Sequence, residues 1–323
     1  MKLPSWANEL RPTQTSAIDQ ILEDFQTNSI VFLEAPTGTG KTLIADIVRQ
    51  NIAKRAVYVC SSISLQDQFL KDFPDAALLK GRSNYPTLDY PQRYVPTNPT
   101  LGLSCADCTK HKVGDEMRCD WCEVVQQCPY EGAKITAIRS DLVCANSYYF
   151  LYEANYVGAL SKRDLVIIDE IDTIESILMS FIEVNISEYR IKEFNLPHPE
   201  RKTVSSTWLA WAEEAYDIAK KQKRPYQQER LFDSEPDLKA LRSERRLTSL
   251  LADLKRLLDP DWGLATDNWV YDGYSANHII FKPITVAPYA AEYLWRHGKR
   301  FLCMSATIIS ATELADSLGL LSS

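Results

Sequence analysis

Two rhythms of apolar residues alternate along the chain. Ile18, Ile21, Leu22 and Phe25 recur at helical spacing within residues 16–25. SIVFLEA (29–35) is an unbroken apolar run of strand length, and KTLIADIVRQNIAK (41–54) returns to helical spacing. AVYVC (56–60) predicts a second buried strand, and SLQDQFLKDF (64–73) a second helix. LVIIDE (165–170) and RFLCMSATI (300–308) are two further apolar strands, the last followed by a helix-like tail. Strand–helix alternation of this kind predicts an α/β fold, a parallel sheet with helices on both faces.

The alternation is interrupted twice. Residues 81–104 are rich in Pro, Tyr and polar residues and read as loop, and a cysteine-rich stretch follows them. Regular structure resumes near Glu131. Residues 175–259 are mostly helical by pattern, as in SSTWLAWAEEAYDIAKK, with Trp208, Trp211 and Tyr216 as candidate core. NWVYDG and HIIFKPI, within residues 268–284, predict two strands around an Asp-Gly turn. The expected organisation is one α/β domain in three pieces (1–84, 131–178 and 280–323), a Cys-rich insert at 85–130 and a mainly helical insert at 179–279.

Composition narrows the partners. The 323 residues suggest about two domains, and a net charge of −7 excludes a global positive field. Nucleic acid, if bound, must lie in a local groove. The N-terminus lacks the apolar core of a signal peptide, and no run approaches the length of a membrane helix, so an intracellular (cytoplasmic or nucleoid-associated) chain with no membrane partner is expected.

EAPTGTGKT (34–42) fits the phosphate-binding loop, with Ala35 in place of the usual first Gly, between a strand and a helix as the motif requires. Gly38 and Gly40 let backbone N–H groups turn toward phosphate oxygens, with Thr37 and Thr39 in the same loop. Lys41 supplies charge to the β- and γ-phosphates of ATP, and Thr42 a hydroxyl for Mg²⁺. Asp169 and Glu170 close a strand whose C-terminal end faces the nucleotide edge of such a sheet. Asp169 is the expected Mg²⁺ carboxylate and Glu170 the base for the attacking water.

Cys105, Cys108, Cys119, Cys122 and Cys128 form two C-x2-C pairs and a final Cys-Pro. Without an export signal this reads as metal ligation, either a tetrahedral zinc site or an iron–sulphur cubane. Cys60, Cys144 and Cys303 lie in or beside apolar strands and read as core.

These blocks, in this order, resemble the XPD/DinG iron–sulphur group of superfamily-2 helicases. RPTQ (11–14) resembles the adenine-reading segment, which implies Arg11 and Gln14 as nucleotide contacts. SSISLQDQF (61–69) resembles motif Ia, KGRSNY (80–85) the lead into the cluster domain, and CPY (128–130) the segment of its last ligand. NSYYFL (146–151) resembles a post-cluster motif with Ser147 where His is usual. DEID (169–172) resembles motif II with Asp172 where His is usual, and MSAT (304–307) motif III, implying Asp172, Ser305 and Thr307 as coupling residues. The resemblance favours a 4Fe–4S cluster over zinc, with Cys105, Cys119, Cys122 and Cys128 as ligands and Cys108 as alternate to Cys105. Thr87 stands where the family places its first ligand.

The resemblance further implies that residues 179–279 are an Arch domain and that the chain is the motor portion of a 5′-to-3′ DNA helicase, as in DNA repair. Its partners would be single-stranded or fork DNA and a second RecA-like domain absent from this sequence; a monomer is favoured. Tyr85, Tyr90, Tyr94, Trp121, Tyr130, Tyr148 and Tyr149, interleaved with Arg82, Arg93, Lys110, Lys112, Arg118, Lys134 and Arg139, are candidate strand contacts. A nucleotide-gated binding module that never unwinds, and a zinc-bearing P-loop ATPase, are the competing readings.

Overall fold

A computed structural model describes residues 3–4, 7–86, 104–107, 110–113, 116–119, 128–160, 162–198, 205–229, 238–266, 268–272 and 277–321. It divides into two compact units, one made of Met1–Leu178 with Ala287–Ser323, the other of Met179–Val286.

In the first unit the strands are β1 (Ile30–Glu34), β2 (Ala56–Cys60), β3 (Ala77–Leu78), β6 (Leu142–Asn146), β7 (Leu165–Asp169) and β11 (Phe301–Ser305). They form one parallel sheet in the order β1-β11-β7-β2-β6-β3. β2, β7 and β11 are aliphatic because they lie in the middle of a sheet covered on both faces. The helices are α1 (Pro12–Asp24), α2 (Lys41–Ile52), α3 (Ile63–Asp72), α4 (Pro129–Arg139) and α5 (Ser147–Tyr152), and near the end α10 (Ala287–Tyr293) and α11 (Ala311–Ser317). α1 and α2 bury Ile18, Ile21, Leu43, Ile44, Ile47 and Val48 in a core shared with Tyr58, Ile167 and Met304. The Ser62 hydroxyl accepts from Leu65 N–H and caps α3, a contact of about 1 kcal/mol.

The pattern missed three elements. β6 is five residues with partly exposed ends, and β3 is two residues long, so neither shows a periodicity. A hairpin of β4 (Lys110–Val113) and β5 (Glu116–Cys119) lies within the Cys-rich stretch, where charge hides any strand alternation.

The second unit contains α6 (Ile174–Ile182) from Met179 onward, β8 (Val184–Ser187), α7 (Glu188–Glu193), α8 (Ser205–Glu229), α9 (Leu238–Leu257), β9 (Trp269–Asp272) and β10 (His278–Pro283). Its core joins Trp208, Trp211, Ala215, Leu250, Leu254 and Phe281, with Tyr216 packed at the margin. The two strands expected near 268–284 are β9 and β10, which pair antiparallel and extend through β8 to a three-stranded sheet. This unit is therefore helices on a small sheet.

Candidate nucleotide site

The phosphate loop joins the C-terminal end of β1 to α2. Gly38 and Gly40 take φ of 83° and 86°, left-handed values that disfavour side chains. A Cβ on Gly40 would lie 2.5 Å from Gln14 Nε2, so this glycine also makes room for α1. Gln14 Nε2 donates to Thr39 O at 2.8 Å, and Arg11 reaches Gly38 O at 3.4 Å. Gln14 also closes the start of its own helix, its Oε1 accepting from Arg11 N–H at 2.9 Å. The two residues assigned to adenine by resemblance thus brace the loop from its flank. Lys41 Nζ donates to Ala35 O at 2.9 Å, folded back on its own loop. Thr39 Oγ1 donates to Pro36 O at 2.7 Å, while Thr37 is exposed.

β7 lies one strand from β1, across β11, and ends at Asp169. Burial raises the Asp169 carboxyl above the usual range; the Tyr58 hydroxyl opposes this, neighbouring Glu170 adds to it, and Lys41 opposes it. Lys41 and the acidic pair therefore share one electrostatic environment. Tyr58 OH donates to Asp169 Oδ2 at 2.7 Å, and Ser61 Oγ to Glu170 Oε2 at 2.5 Å. Glu170 itself takes φ 59°, unusual for a residue with a side chain, and opens a short 3-10 turn over Ile171–Thr173. The turn lets two consecutive acids serve the same end of the sheet.

The residues expected to couple the site meet on β11. Ser305 Oγ donates to Asp172 Oδ1 at 2.6 Å, and Thr307 N–H donates to Ser305 Oγ at 3.2 Å. Glu34 Oε1 accepts from Ile308 N–H at 3.1 Å, tying this segment to the strand before the phosphate loop. Neither Tyr58 nor Ser61 was singled out from the sequence for this role. The one signal was a tyrosine inside the otherwise aliphatic AVYVC.

Of the cysteines, Cys105 and Cys128 are buried with their sulphurs 3.7 Å apart. Burial pushes the Cys128 thiol up to about 11, and nearby Cys105 adds to this. Two adjacent buried thiols, one followed by Pro129, are donor chemistry that fits a thiolate-bound centre. Cys119 ends β5, with its backbone opposite Lys110; Cys108 and Cys122 lie outside the described residues. Among the described residues, no group of three or more His, Cys, Asp or Glu gathers as a metal site. Cys60, Cys144 and Cys303 are buried.

Several candidate strand contacts prove to be interior. Tyr130 and Tyr149 are buried and share a 2.7 Å hydrogen bond, and Lys134 pairs with the buried Glu153 at 2.6 Å. Tyr85 meets Tyr130 edge-on at 5.6 Å. Their aromatic faces serve packing, because α4 needs an apolar side against the sheet. Tyr148 is 52% exposed and keeps an outward face. Tyr90, Tyr94, Arg93 and Trp121 lie outside the described residues, as do the side chains of Lys110, Lys112 and Arg118.

Comparison with known proteins bears on the same site. The family model described as "Type III restriction enzyme, res subunit" matches residues 7–104, which contain the phosphate loop. A protein of Methanocaldococcus jannaschii named "Probable ATP-dependent helicase" is 27% identical over 192 residues, covering 52% of this chain and 29% of its own length. The "ATP-dependent DNA helicase XPD" of Sulfolobus acidocaldarius is 21% identical over 201 residues, covering 59% and 32% respectively. The chain thus spans about a third of the curated relatives it matches. Among solved structures, one titled "XPD_Helicase" superposes with a TM-score of 0.55 at 16% identity, over 97% of this chain and 61% of the other. One titled "Truncated XPD" gives 0.55 at 15% identity, over 94% and 96%. The fold is thus shared with solved structures titled XPD, and the two curated relatives carry the names of ATP-dependent helicases.

Proposed function

We propose that this chain is the N-terminal motor portion of an ATP-dependent DNA helicase that translocates 5′ to 3′ on single-stranded DNA. The carrying observation is that β1 and β7 run parallel in one sheet, so that the phosphate loop with Lys41 and the pair Asp169 and Glu170 follow the same end of it, with Asp172 hydrogen-bonded to Ser305. In this reading Lys41 leaves Ala35 O for the β- and γ-phosphates, Thr42 and Asp169 hold Mg²⁺, and Glu170 takes a proton from the attacking water. The Asp172–Ser305 contact carries the nucleotide state to β11. A second RecA-like domain supplies the arginine that stabilises the transferring phosphoryl group. Without it the chain binds ATP but turns over negligibly, since such an arginine is worth about 10³–10⁵ in rate. The unit at 179–286 is the Arch.

The thiols of Cys105 and Cys128, with Cys119 and Cys122, would hold a 4Fe–4S cluster. It acts as a staple for a Cys-rich insert too poor in apolar residues to fold by burial. One observation favours zinc instead: thiolates at 2.3 Å around a tetrahedral ion sit about 3.8 Å apart, close to the 3.7 Å between these sulphurs. Iron, sulphide and zinc analysis of anaerobically purified protein separates the two.

The functional test pairs the chain with its second motor domain and compares 5′-tailed with 3′-tailed duplexes. ATP-dependent opening of the 5′-tailed duplex alone is expected, abolished by Lys41→Ala with strand binding retained. Opening that survives Lys41→Ala would sink the reading.

A further inference from the structure

β2 carries, on the strand next to the acidic pair, a hydroxyl that the ATP reading does not use. Tyr58 is 3% exposed, in the middle of a strand whose neighbours are aliphatic. Its phenol donates to Asp169 Oδ2 at 2.7 Å. The ring is stacked on Phe69 at 4.2 Å, and Phe69 on Phe73 at 4.8 Å, so α3 and the turn that follows it fix where the hydroxyl lies.

We propose that Tyr58 is a positioning residue of the magnesium site, its hydroxyl holding one oxygen of the Asp169 carboxylate so that the other is turned to the cation. The inference rests on the ATP reading above. Its physical basis is directional. Tyr58 spends its one O–H on Asp169 Oδ2. The second carboxylate oxygen of Asp169 is then left for the metal. Without the phenol the carboxylate is free to turn, and that oxygen is no longer held in place for the cation. Partners that orient metal ligands in this way typically contribute 10–100-fold in metal affinity.

The test is a titration of the purified chain with a fluorescent ATP analogue at rising Mg²⁺ concentration and in EDTA. For Tyr58→Phe, the Mg²⁺ concentration giving half the full gain in affinity should rise about tenfold or more. Affinity in EDTA should stay within about twofold, a split that general loosening of the loop would not produce. A midpoint unchanged within about twofold, or an equal loss with and without Mg²⁺, overturns the proposal. Should Tyr58→Phe fail to fold, the Tyr58→Phe/Asp169→Asn pair decides. Recovery of folding supports the hydroxyl–carboxylate pairing, because an amide does not need the donor; failure of both makes the phenol a packing group and overturns the proposal. A wild-type chain whose nucleotide binding ignores Mg²⁺ overturns the ATP reading itself, and the role of Tyr58 with it.

Discussion

At the scale of single residues, the site depends on backbone conformations that few side chains allow. Gly40 has two constraints at once: a left-handed φ of 86° and Gln14 Nε2 standing 2.5 Å from where a Cβ would lie. Gly40→Ala should therefore strain the loop, displace the Gln14 amide from Thr39 O and cost the nucleotide at least about tenfold in affinity, the equivalent of about 1.4 kcal/mol. Calorimetric titration with ATP and Mg²⁺ checks this; affinity within twofold of wild type would mean that the loop does not need this geometry. The loop was legible in the sequence because its glycines, lysine and threonine have a fixed spacing. Glu170 at φ 59° was not legible, since DEID looks like an ordinary strand end. Ser61 and Tyr58 were hidden too, because nothing in SSIS or AVYVC shows which hydroxyls face the acids two strand ends away in sequence.

At the scale of elements, the helix that starts after Cys128 is held by buried polar groups that no periodicity reveals. Arg163 is fully buried and donates to Ser140 O at 3.2 Å and Ala137 O at 3.1 Å, the C-terminal carbonyls of α4. Burial lowers its pKa to about 10, with Arg55 adding to the effect, so it remains charged at neutral pH. The lone Arg163 between Lys162 and Asp164 looks in sequence like part of a solvated turn. A second such group is His297, buried in the 3-10 turn Trp295–His297, with its Nε2 3.0 Å from Asn155 Oδ1 on the π-helical turn Glu153–Val157. Burial lowers His297 to about 4, and Arg296 beside it adds to the shift. Its folded pKa lies below the unfolded value of about 6.5, so between those values the unfolded chain binds more protons. Stability contributed by neutral His297 is thus present above about pH 6.5 and is lost as pH falls toward 4. Between pH 7 and pH 4.5, wild type should lose about 2–3 kcal/mol more unfolding free energy than His297→Gln, measured by urea denaturation at each pH. Parallel losses in the two proteins would contradict the assignment.

At the scale of the whole molecule, the parallel sheet was legible because β1, β2, β7 and β11 are unbroken apolar runs. The edge strand β3 and its neighbour β6 were not, because two residues in the one and partly exposed ends in the other leave little pattern. The helical pattern of 175–259 concealed β8, which pairs with the distant β10 and so completes a three-stranded sheet only in three dimensions. All of the proposed chemistry converges on one end of the parallel sheet, where β1 gives way to the phosphate loop and β7 to the acidic pair. The most direct measurement is a crystal structure of this chain with Mg²⁺ and a non-hydrolysable ATP analogue. The account predicts a triphosphate cradled by the backbone of Gly38–Thr42, Lys41 Nζ moved from Ala35 O to the phosphates, and a cation shared by Thr42 and Asp169. A saturated crystal in which Lys41 still donates to Ala35 O, with the nucleotide elsewhere, would contradict it.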